Sequence, residues 1–192
     1  MKNINRVVSI VSKALEVLHW VGAASMLVLL FCSIFSREWM SRFLTGNVFA
    51  AESGDVSTYG FSLSLLNADS TVNMASLRIF AIGAFLTFIL MAMIFRNVYL
   101  IVKTAHGKSW FSKGCTPFQK DIVRMVREIG IFSIGIPVLG LIFTIIAQLV
   151  SGVDYVEVSV NFNSIIMGIL VLCLTQVFAY GEKLEEDTKG LI

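Results

Sequence analysis

An all-α polytopic membrane protein, with four transmembrane helices and a small extracytoplasmic β element, is predicted by three features of this sequence. Of its 192 residues 56% are hydrophobic and only 15% charged, and mean hydropathy is +0.81; a soluble domain carries about a quarter charged residues. Four apolar runs approach or reach the roughly 17–25 residues that cross a hydrocarbon core. The cations gather at the N-terminus, in one connection and in the tail. With two prolines, no internal repeat and no low-complexity tract, residues 1–192 read as a single four-span domain.

The first span covers about 15–35, with "VLHWVGAASMLVLLFCSIF" as its apolar centre. Lys2, Arg6 and Lys13 precede it, as they would in a signal peptide. The apolar run is too long for one, and the nearest small-residue site, "VFAAES", lies well past its end, so a retained helix is expected. An outer loop of 36–76 follows, with a strand at 60–68 where Phe61, Leu63 and Leu65 alternate with Ser62 and Ser64. The second span is 77–100, the basic inner loop 101–128 and the third span 129–150. A second outer strand, 154–162, alternates Val156, Val158 and Val160 with Glu157, Ser159 and Asn161. Alternation with β-branched and aromatic residues marks strands, and both stretches fall on one side of the membrane. They are expected to pair as a β cap. The fourth span, 163–180, and an inner tail, 181–192, complete the chain.

Orientation follows from counting Lys and Arg on each side. Lys2, Arg6 and Lys13, seven cations from Arg96 to Arg127, and Lys183 and Lys189 share one side; Arg37, Arg42 and Arg78 share the other. Both termini are expected in the cytoplasm, and the protein in the inner (cytoplasmic) membrane.

The basic segment "GCTPFQKDIVRMVREIG" (114–130) carries a helix-start signal. Thr116 can cap, Pro117 suits the first helical position, and Gln119 completes a capping box. Phe118, Ile122, Met125 and Ile129 then fall on one stripe, and Arg124 can pair with Glu128 or Asp121. An amphipathic helix running on into the third span is expected. Lys113, Lys120, Arg124 and Arg127 would meet the anionic inner leaflet, at about 1 kcal/mol per cation. Alternatively they form, with Glu182, Glu185, Glu186 and Asp187 of the tail, a docking face for a cytoplasmic partner. Direct nucleic-acid binding is not expected, since no aromatic interleaving accompanies the cations.

Inside the spans, Glu16 and His19 read as interface anchors beside Trp20, and Arg78 and Arg96 can snorkel. Cys32 and Cys173 read as small buried residues. No acidic residue lies near a midplane, which argues against proton-coupled transport. No catalytic residues, metal ligands or cofactor can be assembled with conviction; His106, the one other histidine, lies in a connection. The third span carries Gly135, Pro137 and Gly140, either a hinge or simple close packing.

The Thr-Pro-Phe start running through "DIVRMVREIG", with the ending "QVFAYGEKLEEDTKGLI", resembles an uncharacterised bacterial four-helix membrane family (domain of unknown function 2975). The resemblance covers most of the chain, and neither segment is a catalytic motif. It implies four helices in a cytoplasmic membrane and a small helix-turn-helix regulator as partner. The expected function is a non-enzymatic sensor or regulatory subunit. A transporter or efflux accessory, and an immunity-type protein against a secreted peptide, are the alternatives; a homo-oligomer is left open.

Overall fold

The structure, a computed structural model, describes residues 2–36, 38–40, 42, 55–67, 71–110, 112, 116–151 and 162–189. Its named elements are α1 (Lys2–Phe35), β1 (Asp55–Ser57), β2 (Ser62–Ser64), α2 (Met74–Ala105), α3 (Lys120–Ser151) and α4 (Phe162–Lys189). At 1.5 Å per residue the helices, 28 to 34 residues long, extend about 42–51 Å. All four are long and apolar enough to cross a membrane.

The terminal signals are local. Asn73 caps α2, its Oδ1 accepting from the N–H groups of Ala75 (3.0 Å) and Ser76 (3.1 Å). The same helix ends in a Schellman turn: Gly107 adopts φ 66°, its N–H donates to Thr104 O, and the Lys108 N–H donates to Lys103 O, both at 3.0 Å. Pro137 lies inside α3, which runs unbroken from Lys120 to Ser151. Its ring leaves the carbonyl four residues back without a helical donor.

Which residues face inward is unusual for helices of this length. On α1 the buried stripe is Ser12, Glu16, His19 and Ala23, whereas Val17, Leu18, Val21 and Val28 are exposed. On α2 it includes Ala81, Ala84, Thr87, Ala92 and Asn97. On α4, Gly168 and Thr175 are buried while Ile166, Met167, Leu170 and Val177 are exposed. On α1 and α4 small and polar side chains lie inside and large aliphatic ones outside, the reverse of a water-soluble helix, while α2 and α3 also bury large residues such as Leu77, Phe80, Ile122 and Met125.

The chain forms two compact units. The first comprises Met1–His19, Leu90–Gly135 and Asn163–Ile192. Ile122, Met125 and Val126 are buried there, packed on Leu100, Ile101, Val171 and Phe178. Here α3 and α4 approach at a glycine pair: a Cβ on Gly130 would lie 3.1 Å from Gly168 O, and one on Gly168 would lie 3.0 Å from Gly130 O. A side chain at either position would wedge the two helices apart.

The second unit comprises Trp20–Ile89 and Ile136–Phe162. Its core is Phe61, Leu63 and Leu65 with Val72, Met74, Leu77 and Phe80. The alternation read at 60–68 is real, for Phe61, Leu63 and Leu65 are buried and Ser62 and Ser64 half-buried. Regular strand is confined to Ser62–Ser64, and its antiparallel partner is Asp55–Ser57 of the same connection. A four-residue loop joins them, closed by the Thr58 N–H donating to Phe61 O at 2.9 Å. This hairpin pairs one edge of β2 within its own connection. Val156, Val158 and Val160 lie outside the described residues. Burying each of Phe61, Leu63 and Leu65 stabilises by about 1.5–3 kcal/mol.

Candidate functional site

In the first unit the start of α3 meets the acidic part of α4. The helix begins later than Thr116-Pro117 suggests. The Gln119 carbonyl accepts the first helical bonds, from the N–H groups of Ile122 (2.9 Å) and Val123 (3.0 Å), so Gln119 is the N-cap and Lys120 the first residue of α3. The Thr116 hydroxyl serves both α4 and its own turn. Its proton goes to Glu185 Oε2 at 2.6 Å, and its oxygen accepts from the Phe118 N–H at 3.2 Å, giving a local turn. The Gln119 side-chain Nε2 donates to Thr116 O at 2.8 Å, which closes that turn.

Two further contacts complete the junction. Lys120 Nζ lies 3.7 Å from Glu182 Oε1 and 3.9 Å from Glu186 Oε1. The Phe118 ring packs on Phe178 with centroids 6.0 Å apart, and it fills the space where a Cβ on Gly181 would go. A groove of about 210 Å³ opens between Thr116, Lys120, Asp121, Glu182 and Glu186. The basic start and the acidic tail, expected together as a docking face, thus meet here through one lysine, Lys120, that faces Glu182 and Glu186. With Lys120 72% exposed, its pairs hold register more than they stabilise.

The remaining cations are placed differently. Arg124 pairs with Glu128 at 3.5 Å, one turn on, rather than with Asp121. The other oxygen of Glu128 accepts from Asn97 Nδ2 at 2.9 Å, tying α2 to α3. Asn97 is buried and Arg127 exposed. Lys113 and Cys115 lie outside the described residues.

Several polar residues depart from their expected places. Glu16 and His19, expected as interface anchors, are buried within the protein. They share the inward face of α1, where Lys13 Nζ neutralises Glu16 at 3.0 Å, His19 Nδ1 donates to Leu15 O at 2.7 Å, and the imidazole packs against Phe95. Trp20 is exposed. In the second unit Arg78 does not reach outward. Its Nη2 donates to Ser33 O at 2.8 Å, in the last turn of α1, where the carbonyl ends of the helix favour a cation. Cys173 is exposed and Cys32 half-buried; α4 turns most of its apolar residues outward, and Cys173 goes with them.

The three residues read as hinge or packing differ in surroundings. In the first unit, a Cβ on Gly135 would meet Leu90 Cδ1 at an ordinary 3.5 Å. In the second, Pro137 is fully buried. Gly140 lies against the backbone of Gly60: an added Cβ would land on the Gly60 carbonyl oxygen, with its carbon 2.6 Å away. Among the described residues no three His, Cys, Asp or Glu side chains gather as metal ligands would.

Asn97, the Arg78–Ser33 contact and the Thr116–Glu185 bond escape sequence reasoning, because each joins positions with no shared periodicity. A polar residue one position after Arg96, well inside a helical apolar stretch, was the available signal for Asn97. No protein family, curated protein or solved structure matches this chain.

Proposed function

We propose that this chain is a four-span protein of the cytoplasmic membrane with both termini inside the cell, acting as a non-enzymatic sensor or regulatory partner of a cytoplasmic helix-turn-helix transcription regulator. The inside-out distribution of side chains supports the membrane assignment. Interfaces of small residues with large aliphatics facing outward suit lipid as solvent. In water, exposed Leu149, Val177, Leu18 and Val28 would form far more apolar surface than soluble proteins leave uncovered. The bias of Lys and Arg supports the orientation.

The observation that carries the regulatory part is the junction of α3 and α4. Thr116–Glu185 and Lys120–Glu182 fix the first turn of α3, so that Arg124 and Arg127 are displayed from an ordered platform. Rigid presentation of cations suits an acidic partner surface, because little side-chain and loop entropy is lost on docking. The class of partner is the one that the resemblance at Thr116–Phe118 and in the tail implies, a small helix-turn-helix regulator.

Co-purification from native membranes tests this. The tagged full chain should retain a DNA-binding protein that the Arg124→Glu/Arg127→Glu variant loses. Recovery of an ATPase instead would move the reading to transport, and of a secreted peptide to immunity. If both forms retain the same proteins, the docking face is refuted.

A further inference from the structure

A groove of about 410 Å³ lies within the first unit, where the start of α1 meets the end of α2. Arg6, Lys103 and Lys108 line it, and no carboxylate is among its lining residues. Its walls are tied together: Asn5 Nδ2 donates to His106 Nε2 at 2.9 Å, and His106 Nδ1–H donates to Val102 O at 2.7 Å. This pair of bonds places the ring proton on Nδ1. The Schellman turn at Gly107 fixes where Lys108 leaves α2, and Lys103 Nζ rests 4.7 Å from the centre of the Tyr99 ring.

Three cations around one cavity without a counter-charge repel one another unless an anion enters. Ile10, exposed on α1, forms part of the groove wall. A basic seat with one aliphatic side chain at its edge matches a phosphate head carried at a lipid surface. We infer that this groove binds the phosphate headgroup of an anionic phospholipid. Basic pockets between helices at the membrane surface are suited to such headgroups. The inference rests on the membrane reading above and adds to it a defined ligand class and the residues that take it.

The test uses the full chain in detergent, titrated with dioctanoyl phosphatidylglycerol and followed by native mass spectrometry. Dioctanoyl phosphatidylcholine and inorganic phosphate serve as comparisons. Saturable binding of the anionic lipid is expected, not matched by the zwitterionic lipid and not displaced by millimolar phosphate. Arg6→Gln/Lys108→Gln should weaken it about thirtyfold, roughly fivefold per cation. The charge-keeping Arg6→Lys/Lys108→Arg should bind within about threefold of wild type, and it decides the matter if the Gln variant misfolds. Lys183→Gln, an exposed cation on α4, should bind as wild type. Equal binding of both lipids, displacement by phosphate alone, undiminished binding by the Gln variant, or loss in the charge-keeping variant would each overturn the assignment. Binding in detergent does not depend on which side of a membrane the groove faces, so its failure would leave the proposed topology standing.

Discussion

Replacing Gly140 by alanine separates close packing from hinge motion in α3. The added methyl would fall on the carbonyl oxygen of Gly60, and the Gly60 carbon would be only 2.6 Å away. Both obstacles are backbone, so no rotamer change relieves the clash and the turn of the hairpin must move. Overpacking of this kind costs about 1–3 kcal/mol, and a rigid backbone obstacle puts it at the upper end. The intrinsic helix preference for Ala over Gly returns about 1 kcal/mol. The net loss is about 2 kcal/mol, equivalent to a Tm lowered by roughly 4–8 °C for a chain of this size. Gly135→Ala supplies the control. Its methyl meets Leu90 Cδ1 at 3.5 Å, so only the helix preference remains, and Tm should hold or rise by about 2–4 °C. Thermal unfolding of the purified full chain in one detergent at one scan rate, followed by near-ultraviolet circular dichroism, reads both. Flexible-hinge glycines would respond alike, both stiffened by alanine. A Gly140→Ala protein as stable as wild type would refute the packing argument.

Three further outcomes follow from contacts in the structure. Arg78→Ala removes the charged donor to Ser33 O and should cost about 1.5–3 kcal/mol, with Arg78→Lys recovering part of it in the same unfolding assay. Asn97→Leu deprives Glu128 of its 2.9 Å donor and should cost about 1–3 kcal/mol; an unchanged Tm would show that the α2–α3 tie contributes nothing. A double-mutant cycle between Lys120→Ala and Glu182→Ala should give a coupling energy below about 1 kcal/mol, because Lys120 is largely exposed. A coupling of several kcal/mol would mean that the junction is shielded from solvent.

The four long helices were legible because composition alone distinguishes a run such as "LRIFAIGAFLTFILMAMIF" from a soluble segment. Their inward faces were not. When nearly every position is apolar, hydrophobic periodicity carries no direction, so burial of Ser12, Glu16 and His19 had to come from the packing. The hairpin was half legible. The alternation of Phe61, Leu63 and Leu65 identified a one-sided strand, but its partner Asp55–Ser57 has a single apolar residue and no period to detect. At the start of α3, the Thr-Pro-x-Gln pattern was read locally as a capping box. A glutamate 69 positions away, Glu185, takes the threonine proton, and the regular helix starts at Lys120. The acidic tail looked like a free docking surface for a related reason: sequence shows its charge but not that Lys120 already faces it.

The central claim is that lipid surrounds these helices and that the cation-rich end lies inside the cell. Two single-cysteine forms of the full chain test it directly in intact cells with a membrane-impermeant maleimide. One keeps Cys115 and carries Cys32→Ser and Cys173→Ser; the other adds Cys115→Ser and Asp55→Cys. Labelling of the Asp55→Cys form in intact cells, with Cys115 reacting only after permeabilisation, is the predicted result. Labelling of Cys115 in intact cells would contradict the orientation, and recovery of the chain in the soluble fraction would contradict the membrane assignment itself.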